Sequence, residues 1–346
     1  MERQLIEIST GTILKFIFLG LVLAFLFVIR DIVAIFLLAI VIAYALDPAI
    51  NWFQNKKIPR VFAVLFIYIG SLAVLTLLFY LIVPPLFFEV KNFAAESPQF
   101  LEKITLPLTN QNLEGASIIP PSLLENIQDF FGSISNLLAN FSQGFIQTLI
   151  RLFGGIFSAV LILVIAFYLS FQEKGVENSI KMVVPKEYED YALKIWRGSS
   201  QKIGFWLEGQ ILLGIIVGTL VFLALTILQV KYALSLALLA ALLEIIPIFG
   251  PIIAAFPAVV IAFLQEPILG LIMIGVYFLI QQIENHLIYP AVMRRTVGVP
   301  PLVAIFALLI GGKLAGFIGF VLAVPMAVIF IEIANDLAER KRVADK

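Results

Sequence analysis

The chain has 346 residues, of which 61% are hydrophobic and 13% charged, with a mean hydropathy of +1.05 and a formal net charge of zero. A water-soluble fold could not cover so much apolar surface. The neutral balance favours neither nucleic acid nor an anionic surface as a partner. Because the chain has no cysteine and one histidine, disulfides, thiolate chemistry and a histidine-based metal site are excluded. We therefore expect a membrane protein without a cofactor, with the lipid bilayer as its partner.

Long uncharged apolar runs predict helices that cross the membrane, because about 20 helical residues span its roughly 30 Å hydrocarbon core. The predicted spans are residues 13–29, 32–46, 61–83, 154–171, 210–228 and 268–289. Only Arg30 and Asp31 separate the first two spans, which predicts a tight helical hairpin. Pro84 and Pro85 are expected to end the third span, since proline lacks the amide donor that a continuing helix needs.

Residues 84–151 are more polar and predict an amphipathic helical region between the third and fourth spans. Apolar residues recur there at helical spacing: Leu123, Ile127, Phe130, Phe131, Ile134, Leu137 and Leu138. Such helices lie on the membrane surface or on partner helices. Because one subunit should not expose that much apolar surface, we expect a homo-oligomer.

Two apolar runs are too long for one crossing and short for two. The 34 residues at 232–265 would measure roughly 50 Å as one helix. The sequence EIIPIFGP, residues 244–251, interrupts this run and predicts a re-entrant hairpin of two half-helices. The run at 301–331 is interrupted near Lys313 and predicts a second hairpin. The expected break residues are Pro247, Gly250, Pro251, Gly311, Gly312 and Gly316.

The two interrupted runs resemble each other weakly. An offset of 68 positions pairs identical residues: Phe249 with Phe317, Ala255 with Ala323, Pro257 with Pro325, Val260 with Val328 and Ile261 with Ile329. One hairpin would enter from outside and the other from inside, as inverted repeats of secondary transporters do near the bilayer midplane. The predicted fold is all-α and polytopic, with six full transmembrane helices plus two re-entrant hairpins.

Basic residues predict the orientation, because cytoplasmic loops carry an excess of lysine and arginine. The basic segments are Lys56, Lys57 and Arg60, then Lys174, Lys181, Lys186, Lys194, Arg197 and Lys202, then Arg294 and Arg295, and finally Arg340, Lys341 and Arg342. They place both termini in the cytoplasm of a multi-pass cell-membrane protein. We expect an N-terminal three-span unit at 1–83, the amphipathic region at 84–151 and a transport core at 152–346.

Glu244 lies beside the first predicted break, within an apolar run. A carboxylate there costs about 2.5 kcal/mol or more on insertion scales, and such carboxylates mark ion pathways or proton relays. Lys313 is expected at the tip of the second hairpin. The two charges would form a gate that opens when a proton or monovalent cation competes for Glu244. Alternatively, Glu244 caps half-helix amides or pairs with Lys313 for structure alone, or Lys313 snorkels to the interface.

Gln281, Glu284 and Asn285 share one face of the last predicted span through their three- and four-residue spacing. Amides offer donors and acceptors together, which suits a neutral polyhydroxylated ligand. The alternative is hydrogen bonding between helices. Nothing resembles a catalytic constellation, and the absence of a Walker loop argues against a primary pump. We therefore do not expect an enzyme.

Five segments carry a family resemblance. They are AYALDPAINWF at 43–53, LEGQ at 207–210, EIIPIFGP at 244–251, QQIENHLIYPAVM at 281–293 and VGVPPLVAIFALLIGGKLAGFIGFVLAVP at 297–325. Together they resemble the autoinducer-2 exporter family of membrane permeases over most of the chain. The resemblance implies export of small molecules, with autoinducer-2 as the namesake substrate, and some members look like sodium or lithium/proton antiporters.

We therefore expect a permease or secondary transporter that exports small polar molecules. The residues expected on its pathway are Glu244, Lys313, Gln281, Glu284 and Asn285. One alternative is a sodium or lithium/proton antiporter, in which Glu244 would exchange protons. The composition is also compatible with a passive channel and with a non-transporting membrane scaffold.

Overall fold

The computed structural model describes residues 17–18, 20–22, 24–25, 27–109, 155–172, 174–293 and 299–344, and these residues form helices and no strands. The helices are α1 (Arg30–Asn55), α2 (Arg60–Thr109), α3 (Gly155–Phe171), α4 (Gly175–Val183), α5 (Lys186–Ile227), α6 (Ala233–Leu243), α7 (Phe249–Gln265), α8 (Pro267–Ile283), a π-helix (Glu284–Ile288), α9 (Tyr289–Val292) and α10 (Pro301–Ala344).

Five helical segments of the described residues are long and apolar enough to cross a membrane. They are α1, Arg60–Leu86 within α2, α5, Pro267–Val292 and Leu302–Glu339 within α10, and the bent pair of α3 and α4 is a sixth if it counts as one span. The predicted all-α architecture with several candidate membrane spans is therefore confirmed for the described residues. The count of six full spans plus two re-entrant hairpins stays a prediction. Part of the first predicted span and residues 110–151 of the amphipathic region lie outside the described residues.

The chain groups into two compact units that alternate along the sequence. Unit 1 comprises Met1–Asp47, Phe153–Ile203 and Gly298–Lys346, and unit 2 comprises Pro48–Leu152 and Gly204–Val297. Helices α1 and α5 each contribute residues to both units. The division into 1–83, 84–151 and 152–346 stays a prediction.

The predicted hairpin turn at Arg30 and Asp31 is wrong, because both residues belong to the first turn of α1. The Ile29 amide donates to the Phe25 carbonyl, and the Val33 amide donates to the Ile29 carbonyl, each at 3.0 Å. These bonds have the four-residue spacing of an α-helix, so helical bonding continues where the turn was expected. An adjacent acid and base do not break a helix, because neither removes a backbone donor as proline does.

The expected helix end at Pro84 and Pro85 is also wrong, because α2 continues to Thr109. The proline at position 85 cannot donate to the carbonyl of Leu81, four residues earlier. The Ser235 hydroxyl of α6 donates to that carbonyl instead, at 2.8 Å. A neighbouring helix thus satisfies the freed carbonyl, which is how membrane helices tolerate proline.

The core of unit 2 is formed by α6, α7, α8 and the second half of α5. Its buried apolar side chains include Val217, Val221, Leu225, Leu236, Ala254, Ala258, Met273 and Ile280. A Cβ at Gly214 would lie 2.5 Å from the Ala241 carbonyl oxygen, and a Cβ at Gly218 would lie 2.7 Å from Ala241 Cβ. Small residues at this spacing let the backbones of membrane helices approach closely. Helix α5 therefore packs tightly against α6.

In unit 1, ion pairs hold the polar N-terminal part of α5 against α4 and α10. Two of them reach α10: Lys194 with Asp336, at 2.7 Å, and Lys202 with Glu332. Arg197 donates two hydrogen bonds to the Glu177 carboxylate of α4, at 2.9 and 2.7 Å. The hydrogen bond from Arg197 lowers the pKa of Glu177 below its ordinary value.

The first predicted hairpin contains two short helices, α6 and α7, which pack against each other across residues 244–248. A Cβ at Gly250 would lie 1.9 Å from the Leu243 carbonyl oxygen, whereas seven residues of straight helix would separate these positions by roughly 10 Å. The chain therefore turns back on itself at this break.

The second predicted hairpin lies within α10, whose dihedrals are not helical at Ala315 and Gly316. A Cβ at Gly311 would lie 2.3 Å from the Gly319 carbonyl oxygen, although eight residues of straight helix span about 12 Å. The chain therefore turns back here as well. Gly316 has φ 57° and Ile248 has φ 70°, so two positive-φ residues occupy equivalent positions at the 68-residue offset. The inverted orientation of the repeat stays a prediction.

Candidate functional site

The break between α6 and α7 contains a strained turn. The Phe249 amide donates to the Pro247 carbonyl at 2.8 Å, and Ile248 between them has φ 70° and ψ −52°. This is the positive-φ form of the three-residue γ-turn, which is rare and strained. A β-branched side chain is especially unfavourable at positive φ. Because such strain clusters at functional sites, the break is a candidate site.

Glu244 follows the last residue of α6, and its side chain is 2% exposed. Its carbonyl accepts a hydrogen bond from the side-chain amide of Gln210, which is equally buried on α5. The last carbonyls of a helix have no partner within that helix. Gln210 therefore caps the broken helix from a neighbouring one.

The carboxyl group of Glu244 lies against the carboxyl group of Glu284. Glu284 is 5% exposed and is the first residue of the π-helix. Single π-helical turns are rare and occur frequently at functional sites. The Gln281 amide donates to Glu284 Oε2 at 3.1 Å. Two acids thus meet in a buried position between the break and the π-helix. We call Glu244, Glu284, Gln210 and Gln281 the carboxyl cluster.

Two buried oxygen atoms of the carboxyl cluster have no hydrogen-bond partner among the described residues. They are Gln210 Oε1 and Glu244 Oε2, and the hydroxyl of Tyr277 on α8 is a third such atom in unit 2. Buried polar atoms are nearly always hydrogen-bonded. An acceptor oxygen left open beside a pair of acids suits a ligand that brings a proton, a positive charge or a hydroxyl donor.

The polar face predicted on the last span is joined by hydrogen bonds along that one helical segment. The Gln281 amide nitrogen lies 3.4 Å from Asn285 Oδ1 as well as near Glu284. Asn285 and His286 are exposed, and the His286 ring bonds to the Gln282 carbonyl at 2.9 Å. The structure thus brings Glu244, Glu284 and Gln281 together and leaves Asn285 at the margin.

The remaining predicted residues lie at the two turns. Pro247 is in the first break, and Gly250 and Pro251 open α7, while Gly311, Gly312 and Lys313 precede the kink that contains Gly316. Lys313 belongs to unit 1 and Glu244 to unit 2, so their gate stays a prediction.

Unit 1 contains an apolar cavity of about 310 Å³ between α4, α5 and α10, lined by residues such as Ile180, Trp196 and Ile329. Ser199 also lines it, and its buried hydroxyl has no hydrogen-bond partner among the described residues. One hydroxyl in an apolar wall offers little to orient a polar solute, whereas binding sites use several convergent polar groups. The carboxyl cluster is therefore the stronger candidate.

The described residues contain no group of three or more histidine, cysteine, aspartate or glutamate side chains that could hold a metal ion. The carboxyl cluster brings two such side chains together rather than three. Its oxygen atoms belong to two carboxyl groups and two side-chain amides. This donor set is suited to protons, hydroxyl groups or weakly bound cations.

Comparison with known proteins identifies the family. A family model described as "AI-2E family transporter" matches residues 15–339. The chain belongs to this family. "Putative transport protein YueF" of Bacillus subtilis is 26% identical over 315 residues, which cover 88% of the chain and 85% of that protein. "Putative transport protein YrrI" of the same organism is 26% identical, covering 87% and 85%.

A third relative comes from a different bacterium. "Putative transport protein YhhT" of Escherichia coli K12 is 25% identical over 326 residues, covering 91% of the chain and 87% of that protein. These names describe transport proteins. Together with the apolar helices, membership of the AI-2E family establishes a multi-pass membrane protein of the transporter class, and the predicted family resemblance is confirmed.

Sequence reasoning did not select Gln210, Tyr277 or Ser235. A signal existed for Gln210, because it ends the LEGQ segment and is an uncharged polar residue at the start of an apolar run. Its role depends on the approach of α5 to α6, which a single sequence does not show. Ser235 is one of many hydroxyl residues in apolar runs, and only the structure reveals the carbonyl that it satisfies.

Proposed function

We propose that this chain is a secondary transporter or permease that exports small polar molecules. Membership of the AI-2E family supports transport. The observation that carries the proposal is the carboxyl cluster, in which buried acids, amides and unpartnered oxygen atoms lie beside a strained helix break. Broken helices place substrate and ion sites in many secondary transporters. Polar residues inside a membrane protein are costly and mark solute or ion pathways.

The amides of the carboxyl cluster suit a neutral, hydroxyl-bearing solute. Gln210 presents an open carbonyl oxygen that accepts a hydroxyl hydrogen, and Glu244 presents an open carboxyl oxygen. Gln281 and Asn285 extend the row of amides toward the exposed end of the helix. We propose that a small polar solute passes along this row.

Counterflow in proteoliposomes tests the proposal. Vesicles loaded with unlabelled solute are exposed to trace labelled solute, across a panel of small polyhydroxylated metabolites and monovalent cations. We expect saturable uptake of at least one polar metabolite, reduced by Glu244→Gln and retained by Glu266→Gln, a matched change at an exposed acid of unit 2. Flux of sodium or lithium alone would favour the antiporter alternative. Unsaturable flux would indicate a channel, and a panel without any flux would indicate a scaffold.

We further propose a cell-membrane location with the basic connector between α1 and α2 and both chain termini in the cytoplasm. The basic residues at positions 56, 57 and 60 support the connector's orientation. Because the chain has no cysteine, single substitutions such as Lys57→Cys and Lys341→Cys can be labelled directly. Impermeant maleimide should label both in inverted vesicles and neither in intact cells. Labelling of either position in intact cells would reverse its assignment.

Homo-oligomerisation stays part of the proposal. Many large apolar side chains are exposed on the single chain, including Phe62, Phe66, Leu72 and Tyr80 on α2. Lipid or a second copy covers such a surface in a membrane. Native mass spectrometry of the purified protein would give the copy number, and a single chain per particle would contradict an oligomer.

A further inference from the structure

We propose that Glu244 and Glu284 share one proton and that this acid pair is the group through which a proton gradient drives transport. The inference rests on the proposed transport function and adds its energy source. It follows from the contact between the two carboxyl groups, their burial, and the polar atoms that face them.

Two buried carboxyl groups side by side favour a shared proton. A carboxylate only accepts hydrogen bonds, so two carboxyl groups form a hydrogen bond only when one of them carries a proton. Glu244 and Glu284 make this contact while 2% and 5% exposed. Two negative charges on neighbouring carboxyl groups repel strongly where water is scarce. A single shared proton leaves the pair with one negative charge.

The surroundings distinguish the two acids. Glu284 Oε2 accepts a hydrogen bond from the Gln281 amide, which favours the carboxylate form at Glu284 and places the proton on Glu244. The Gln210 side-chain amide donates to the backbone carbonyl of Glu244 and not to its carboxyl group. Among the described residues, the phenol of Tyr289 is the titratable group that lies near Glu284 besides Glu244.

The pair sits where a change in charge can move the backbone. Glu244 adjoins the strained γ-turn at Ile248, and Glu284 opens the π-helix. When the pair binds a second proton, both carboxyl groups become neutral and the site carries no charge. When that proton leaves, the single negative charge returns. One proton is gained on one side of the membrane and released on the other, so charge and atoms balance over a cycle.

Gln210 Oε1 supplies an independent sign that this site takes a ligand. Its side chain is 2% exposed, and the oxygen has no hydrogen-bond partner among the described residues. Glu244 Oε2 is open in the same way. A polar solute that donates a hydrogen bond to either atom would lie directly against the acid pair. Solute binding and proton binding would therefore influence each other.

Infrared difference spectroscopy on the lipid-reconstituted full chain tests the proton without requiring transport. The wild-type protein at neutral pH should show the carbonyl stretch of one protonated carboxyl group. Glu244→Gln and Glu284→Gln should each lose this band, and Glu266→Gln should keep it. Glu284→Asp retains an acid and should keep a shifted band, which guards against a variant that fails to fold. Absence of the band from the wild type, or its persistence in both Gln variants, overturns the shared proton.

Flux measurements then test the coupling. In proteoliposomes, an imposed pH gradient should accelerate net solute movement by the wild type and by Glu266→Gln. Glu284→Gln should lose this acceleration. Counterflow that is insensitive to the pH gradient overturns the coupling and leaves the proposed transport function intact. A band without any flux in the wild type overturns both the coupling and the proposed function, and leaves only the shared proton.

Discussion

The two turns at residues 244–248 and 315–316 occupy equivalent positions of the weak repeat but are built from different residues. The first turn holds Ile248 at φ 70°, beside a buried acid and a cap from Gln210. The second turn holds Gly316 at φ 57°, where a Cβ would meet nothing within 4 Å. Glycine adopts positive φ at little cost, and isoleucine does not. The first turn therefore stores strain that the second avoids, and the strained turn is the one that carries the acid.

The largest expected effect comes from filling the close contact of the first turn. Gly250→Ala would place a Cβ 1.9 Å from the Leu243 carbonyl oxygen, and backbone atoms cannot yield as a flexible side chain does. We expect a loss of stability of about 3 kcal/mol, at the upper end of overpacking effects. Thermal unfolding in detergent, followed by size-exclusion chromatography, measures it.

Gly275→Ala is the matched control for Gly250→Ala. Gly275 lies in α8, and a Cβ there would meet nothing within 4 Å. Because alanine favours helix over glycine by roughly 1 kcal/mol, we expect unchanged or slightly higher stability. Equal effects of the two substitutions on stability would show that the backbone does not approach closely at Gly250. The tight packing of the first turn would then be contradicted.

The second prediction concerns the support that the first hairpin gives to α2. Ser235→Ala would remove the hydroxyl donor to the Leu81 carbonyl that Pro85 leaves free. An unsatisfied buried carbonyl costs about 1–3 kcal/mol, and because this contact is part-buried we expect a loss of stability of about 1 kcal/mol. Thr219→Val is the control, since its hydroxyl bonds within its own helix and is exposed. If Ser235→Ala is as stable as Thr219→Val, another group satisfies Leu81.

The third prediction changes the residue type at the positive-φ position of each turn. Ile248→Gly should relieve the positive-φ strain and raise stability by about 1 kcal/mol, because part of the gain is offset by the entropy of glycine. Gly316→Ala should lower stability by about 1–3 kcal/mol, since alanine is disfavoured at φ 57°. Opposite signs in thermal unfolding are the expected result. If Ile248→Gly also slows counterflow, the strain serves transport; the same sign for both substitutions would contradict the comparison.

The sequence alone predicted the helical class, the family and the two interrupted apolar runs. These features are visible in one sequence because apolar runs and the residues that interrupt them are local signals. The turn predicted from the two charged residues Arg30 and Asp31 was wrong, because the helical backbone hydrogen bonds continue there. The helix end predicted at Pro85 was wrong because the compensating donor, Ser235, lies 154 residues along the chain from Leu81. Such long-range partners leave no local signal.

The candidate site shows the same limit. Glu244 was selected as an acid within an apolar run and Glu284 as part of a polar helix face, but a single sequence does not place them in contact. Gln210 became visible only when the packing of α5 on α6 brought its amide to the Glu244 carbonyl. Residue types identified the members of the site, and tertiary packing determined its geometry.

The smallest expected effect separates an exposed charge pair from the buried acid pair. Glu177 and Arg197 are bonded at the surface of unit 1, and the hydrogen bond from Arg197 lowers the pKa of Glu177 from its ordinary value of 4.5. A carboxyl group with a lowered pKa in the folded state stabilises the fold above its unfolded pKa. That contribution is lost as the pH falls below 4.5 through the folded pKa. In thermal unfolding scanned against pH, Arg197→Gln should remove a small part of the acid sensitivity, and added salt should remove it too, because exposed pairs are screened. Lys186→Gln, at an exposed basic residue on the same helix, should leave the profile unchanged. If Arg197→Gln and Lys186→Gln behave alike, the ion pair contributes nothing measurable to stability. The acid sensitivity of the protein then arises elsewhere, and the same scan of Glu284→Gln tests whether it arises in the carboxyl cluster.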